Sequence, residues 1–160
     1  IGSGQILHAP GHVIQVKNDT STTTVTNSSQ AYTDMGLSVI ITPSSATNYF
    51  WVMVEGHFSS GNTTASKGYG FNIYKNGTAV TGSPNDGVNP SDAPYDFYMD
   101  NASNRFFTRD SKIYYAATGS TSAVTFTAKF TGYNYSTQGD VTLGMSNETQ
   151  HTLTVMEIAG

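Results

Sequence analysis

The chain has 160 residues, a net charge of −4 and no cysteine, which makes one domain able to bury a core without disulfides and rules out thiolate metal sites. Its seven Lys and Arg are scattered and form no basic field to hold phosphates, which argues against nucleic acid as a partner. Charged residues are only 11%, well under the usual quarter. Thr, Ser, Asn and Gly fill the deficit and Tyr and Phe supply the apolar mass, so the composition is that of an all-β protein.

No apolar stretch reaches the roughly 18 residues that a membrane helix requires, so membrane insertion is not expected. Ile1-Gly2-Ser3-Gly4 has neither the basic nor the apolar region of a signal peptide. With Ile1 in place of an initiator Met, the expectation is a processed piece of something longer.

"GQILHAPGHVIQVK" carries two short apolar patches around a Pro-Gly turn. "NDTSTTTVTNSSQAYTD" follows, almost wholly polar, and reads as an exposed edge strand or an extended arm. In "GLSVIITPSS", Leu37, Val39 and Ile41 alternate with polar neighbours, the two-residue period of a strand with one buried face. Pro43-Ser44-Ser45 ends it. The next run differs: Phe50, Val52 and Val54 lie on one side, but Tyr49, Trp51 and Met53 occupy the other. A strand apolar on both sides is covered on both faces.

"KGYGFNIYKNGTAV" is a hairpin with Asn76-Gly77 as its turn. Residues 82–110, with three prolines, five Asp and no sustained period, read as a long loop. Strands return with "KIYYAAT", with "TSAVTFTAKFTGY" (Val124, Phe126, Ala128 and Phe130 on one face), with "DVTLGMS" and with "HTLTVMEIAG". In the last, Leu153 and Val155 share one face while Met156 and Ile158 share the other.

The expected architecture is an antiparallel β-sandwich or jelly roll of about eight to ten strands. Residues 1–34 form N-terminal strands or an extended arm, and residues 35–160 form the jelly-roll body with its long loop at 82–110. If the two doubly apolar strands share a sheet, that sheet packs inside the domain on one face and against a second subunit on the other; the alternative is that a loop of the same chain covers those faces. Tyr49, Trp51, Met53, Met156 and Ile158 are the expected subunit-interface residues.

Signals for chemistry are sparse. His8 and His12 flank a turn, and His57 and His151 stand apart from them. No Gly-x-Ser-x-Gly elbow supports a Ser-His-Asp arrangement. Glu55 and Glu157 end the two doubly apolar strands, but no spacing marks them as a glycosidase pair. Asp86, Asp92, Asp96, Asp100 and Asp110 invite a calcium reading, yet no ligand loop with its Gly and terminal Glu is present. Solvated loop acids are the preferred account, so neither a metal nor a cofactor is expected. The same loop holds Tyr95, Asp96, Phe97, Tyr98, Asn101, Asn104 and Arg105, aromatic faces beside amides and charges. That chemistry suits a sugar or protein receptor; the alternative is that the rings plug the loop onto the sandwich. Seven Asn-x-Ser/Thr sequons follow from a composition rich in Ser and Thr.

The ordered set Gly4-Gln5-Ile6-Leu7, "GLSVIITPSS" from Gly36 to Ser45, and Met156-Glu157-Ile158-Ala159 resembles a C-terminal domain of phage tail-fibre and related virion proteins. The chain departs from that family at Asn48-Tyr49, where members carry Ser-Lys. "GYGFNIYKNGT" gives a looser likeness to the tumour-necrosis-factor-like jelly roll, in which three subunits pack through an aromatic-rich sheet. These resemblances imply a non-enzymatic domain on the virion surface. It would be a homotrimer in contact with other virion proteins and would bind a host-surface glycan or protein. Two alternatives remain: a head fibre or capsid decoration with no receptor role, and a glycan depolymerase using Glu55 or Glu157.

Overall fold

The computed structural model describes residues 9–29, 31–61, 66–80, 96–99, 105–132, 140–144 and 149–160. Within them the chain is all strand, with no helix. The strands are β1 (Val13–Ser21), β2 (Val25–Asn27), β3 (Thr33–Ile41), β4 (Tyr49–Ser60), β5 (Lys67–Lys75), β6 (Thr78–Ala79), β7 (Phe97–Met99), β8 (Phe106–Ala117), β9 (Val124–Gly132), β10 (Val141–Leu143) and β11 (His151–Ile158).

Eleven strands exceed the expected eight to ten because β2, β6, β7 and β10 are only two or three residues long. The expected loop at 82–110 is also shorter than its composition suggests. β7 lies inside it, and β8 begins at Phe106.

The antiparallel pairs nest first with last: β1 with β11, β3 with β9, β4 with β8, and β5 with β7. Such nesting is a long antiparallel ribbon folded over on itself. The roll closes where β11 meets β4 and β9 meets β5. The result is a jelly roll of two sheets. One runs β1-β11-β4-β8, with β10 and β2 continuing beside the far half of β4. The other runs β3-β9-β5, with β6 and β7 sharing the free side of β5.

Alternation fills the space between the sheets. Phe50, Val52 and Val54 of β4 and Leu153 and Val155 of β11 are fully buried from one side. Leu37, Val39 and Ile41 of β3 and Val124, Phe126, Ala128 and Phe130 of β9 are buried from the other. At one end the core is aromatic: Phe58 stacks on Tyr69 at 4.1 Å between centroids and touches Phe71 at 5.1 Å. The β5–β6 hairpin turns on Asn76 (φ 50°) and Gly77 (φ 83°), the two left-handed residues that a type I′ turn requires. Asn76 Oδ1 then accepts the Thr125 N–H at 2.9 Å, fastening the turn to the start of β9.

Side chains stitch the rims. On β1, every second residue reaches the free edge of β3. Gln15 Nε2 donates to the Thr42 carbonyl at 2.8 Å and Lys17 Nζ to the Ile40 carbonyl at 2.9 Å. Asp19 Oδ2 accepts the Ser38 N–H at 2.8 Å. An edge satisfied in this way is closed to strand addition. The polar segment expected as an edge strand or arm thus supplies two sheet edges, β1 and β2.

Candidate functional site: the outer face of the β1-β11-β4-β8 sheet

Residues directly opposite one another on paired strands share a face, so the ladder registers define rows across this sheet. Val13, Ile158, Tyr49 and Ala117 make the first row; Val16, Met156, Trp51 and Tyr115 the second; Asn18, Thr154, Met53 and Ile113 the third. All twelve point away from the core, because their neighbours along the strands, Phe50, Val52, Val54 and Val155, are fully buried. The twelve positions hold no ionisable charge other than two phenols. The field measures roughly 14 Å on each side, from strand spacing and rise.

The surface is open. Val16, Ile113 and Tyr115 are 53–55% exposed, and Tyr49, Trp51, Met53, Met156 and Ile158 are half-buried. The rings of Tyr49 and Tyr115 lie parallel, 5.1 Å apart and within 5°. Beyond the third row the face turns polar. Thr20, Thr152, Glu55 and Ser111 follow, then His57 opposite Arg109, with an ion pair between Arg109 and Glu55. Phe107, 58% exposed, sits near that end.

The five residues expected at a subunit interface therefore come together on one face of one sheet. Sequence reasoning missed their companions Val13, Val16, Ile113 and Tyr115. A signal was there in "KIYYAA", where apolar residues occupy both sides of a two-residue period.

The proposed receptor loop divides. Tyr95, Asn101 and Asn104 lie outside the described residues, as do Asp86, Asp92 and Asp100. Asp96 is engaged within the fold. The Phe71 N–H and C=O lie on the free side of β5 between β6 and β7. Asp96 Oδ2 accepts that N–H at 2.8 Å, and Lys112 Nζ donates to that carbonyl at 2.6 Å. The carboxylate and the ammonium then pair at 2.8 Å, joining β5 to β8 across the sandwich. Phe97 packs its ring on Phe106 at 4.9 Å and Tyr69 at 5.6 Å. Tyr98, 47% exposed, and Arg105 face outward. Asp110 accepts the Tyr69 hydroxyl at 3.3 Å. Burial foremost, and the Asp110 and Asp96 carboxylates, push that phenol up to about 12.

Glu55 and Glu157 do not make a pair. Glu157 stands opposite Phe50 on the core face, five residues along β4 from Glu55, an odd separation that puts the two on opposite faces roughly 16 Å apart along the strand. A glycosidase pair spans about 5–9.5 Å. Glu157 is fully buried and accepts from Gln15 Nε2 and Asn48 Nδ2, both at 2.5 Å, and from Ser44 N and Oγ, both at 2.8 Å. Burial raises its pKa, but these hydrogen bonds outweigh it and hold the carboxyl below its usual value. Among the described residues no three His, Asp or Glu gather as metal ligands.

No protein-family model matches the chain, and no curated protein matches it.

Proposed function

We propose that this chain is a virion-surface domain of the phage tail-fibre kind. It assembles as a homotrimer through the outer face of the β1-β11-β4-β8 sheet and attaches to a host-surface glycan or protein. The observation that carries the reading is the uncharged apolar field on that face. An open patch of aromatic, Met and β-branched side chains, rimmed by Thr, Glu and Arg, has the anatomy of a protein contact: apolar centre, polar rim. Burying a large apolar side chain contributes about 1.5–3 kcal/mol, and Val16, Ile113 and Tyr115 have half of that still to gain.

The count of three comes from the likeness to the tumour-necrosis-factor-like jelly roll, whose subunits meet through the corresponding kind of sheet. The receptor role comes from the likeness to tail-fibre domains, and Tyr98 and Arg105 are the exposed candidates for contact. Sedimentation at micromolar concentration should give about three times the 17.1 kDa of one chain. A single-chain mass would overturn the assembly. Tyr98→Ala with Arg105→Ala should weaken adsorption to host cells by about tenfold or more while leaving the assembly intact. Unchanged adsorption would remove this pair from the receptor contact.

A further inference from the structure

Position 151 begins β11 and faces the core, and its imidazole has no exposed surface. Neither ring nitrogen has a hydrogen-bond partner, which is rare for a buried polar group and calls for a reason. We propose that His151 is an acid-sensitive latch on the start of β11. Neutral, it seals the sandwich interior; once it takes a proton from solvent it leaves, and the first residues of β11 part from β1 and β4.

On balance the surroundings favour the neutral ring. On β1, Ser21 stands opposite, and Asp19, the nearest carboxylate on that strand, is committed to the Ser38 and Thr20 N–H groups. On β4, His57 is the titratable group whose charge acts on His151, and like charge opposes like. Glu55 lies on the opposite face, paired with Arg109. β10 (Val141–Leu143) carries no ionisable group. From β3 the Met35 carbonyl alone pulls toward protonation, without reaching hydrogen-bond geometry. Burial first and His57 second hold the imidazole below its ordinary 6.5.

The direction of the pH effect follows. The unfolded chain takes up this proton near 6.5 and the folded chain only lower, so stability is complete above 6.5 and is lost as pH falls through the folded value. Glu157, at the other end of the same strand, acts in a separate and lower window. Its carboxylate stabilises the fold above the usual carboxylate range, and that contribution goes only as pH falls through its depressed value. The latch does not depend on trimer formation, and the two readings fail separately.

The test compares thermal midpoints of the full chain at pH 7 and pH 5. Wild type should lose about 3–5 °C more than His151→Leu over that interval, while Glu157→Gln should keep the loss. Equal losses in wild type and His151→Leu would overturn the latch. Because His151→Leu replaces a core residue, wild type is also followed directly by proton exchange and imidazole resonances. Amides of Leu153 and Val155 should lose about tenfold in protection from pH 7 to 5 while those of Phe71 and Ile73 hold. A His151 ring that titrates at the ordinary value with protection unchanged would also overturn it.

Discussion

β4 and β5 are both buried deep in their sheets, yet they meet the outside of the molecule differently. From Lys67 to Tyr74 every residue of β5 is buried by the chain itself. Its inward positions are Tyr69, Phe71 and Ile73, and its outward positions are Gly68, Gly70, Asn72 and Tyr74. Small residues let neighbouring backbone lie against the strand: a Cβ on Gly68 would stand 2.3 Å from the Phe97 carbonyl oxygen. β4 alternates buried with half-buried, and its outward positions are Tyr49, Trp51 and Met53. These three stay partly exposed. Where its own chain lies against it, at Gly68, the covered strand presents no side chain, whereas the open strand carries bulk at Tyr49, Trp51 and Met53.

Three substitutions break or sharpen this contrast. Phe58→Ala should cost about 3–5 kcal/mol, measured by denaturant titration, because Phe58 is the inward residue of β4 on which Tyr69 stacks. Its loss empties the core that both strands share. Gly68→Ala should cost about 1–3 kcal/mol in the same measurement, because the added methyl collides with backbone rather than with a side chain that can turn away. Tyr115→Ser, next to Trp51 on the open face, should change the stability of the isolated subunit by no more than about 0.5 kcal/mol. Under the proposed assembly it should nevertheless shift sedimentation toward the single chain. A large loss of subunit stability would mean that the face is part of the fold and not a contact surface.

Much of the fold was legible because the signals are local. Leu37, Val39 and Ile41, and then Phe50, Val52 and Val54, show their buried faces through spacing alone, and Asn76-Gly77 announces its hairpin through the backbone angles it permits. β8 was half hidden. Its stretch "RDSK" looks like loop, yet Asp110 and Lys112 find their partners on β5, at the Tyr69 hydroxyl and the Phe71 carbonyl. Those partners lie about forty residues away, and no local pattern predicts them. The structural partners of Asp96 were hidden for the same reason. In sequence it sits among loop aromatics, while in the fold its carboxylate completes the hydrogen bonding of β5. Glu55 and Glu157 look equivalent at the ends of two similar strands, and only the ladder register separates them onto opposite faces.

Sequence by itself determined the all-β class, the inward sets of β3, β4, β9 and β11 and the presence of two strands apolar on both sides, since two-residue alternation and turn chemistry act over neighbouring residues. Tertiary structure decided that those two strands, β4 and β11, are adjacent. It also added β1 and β8 on their flanks to make a continuous apolar field, and it placed His151 and Glu157 inside. The physical reason is that a strand has two faces and two edges, and its own sequence says how apolar each face is. What lies against each face depends on strands brought there from elsewhere in the chain.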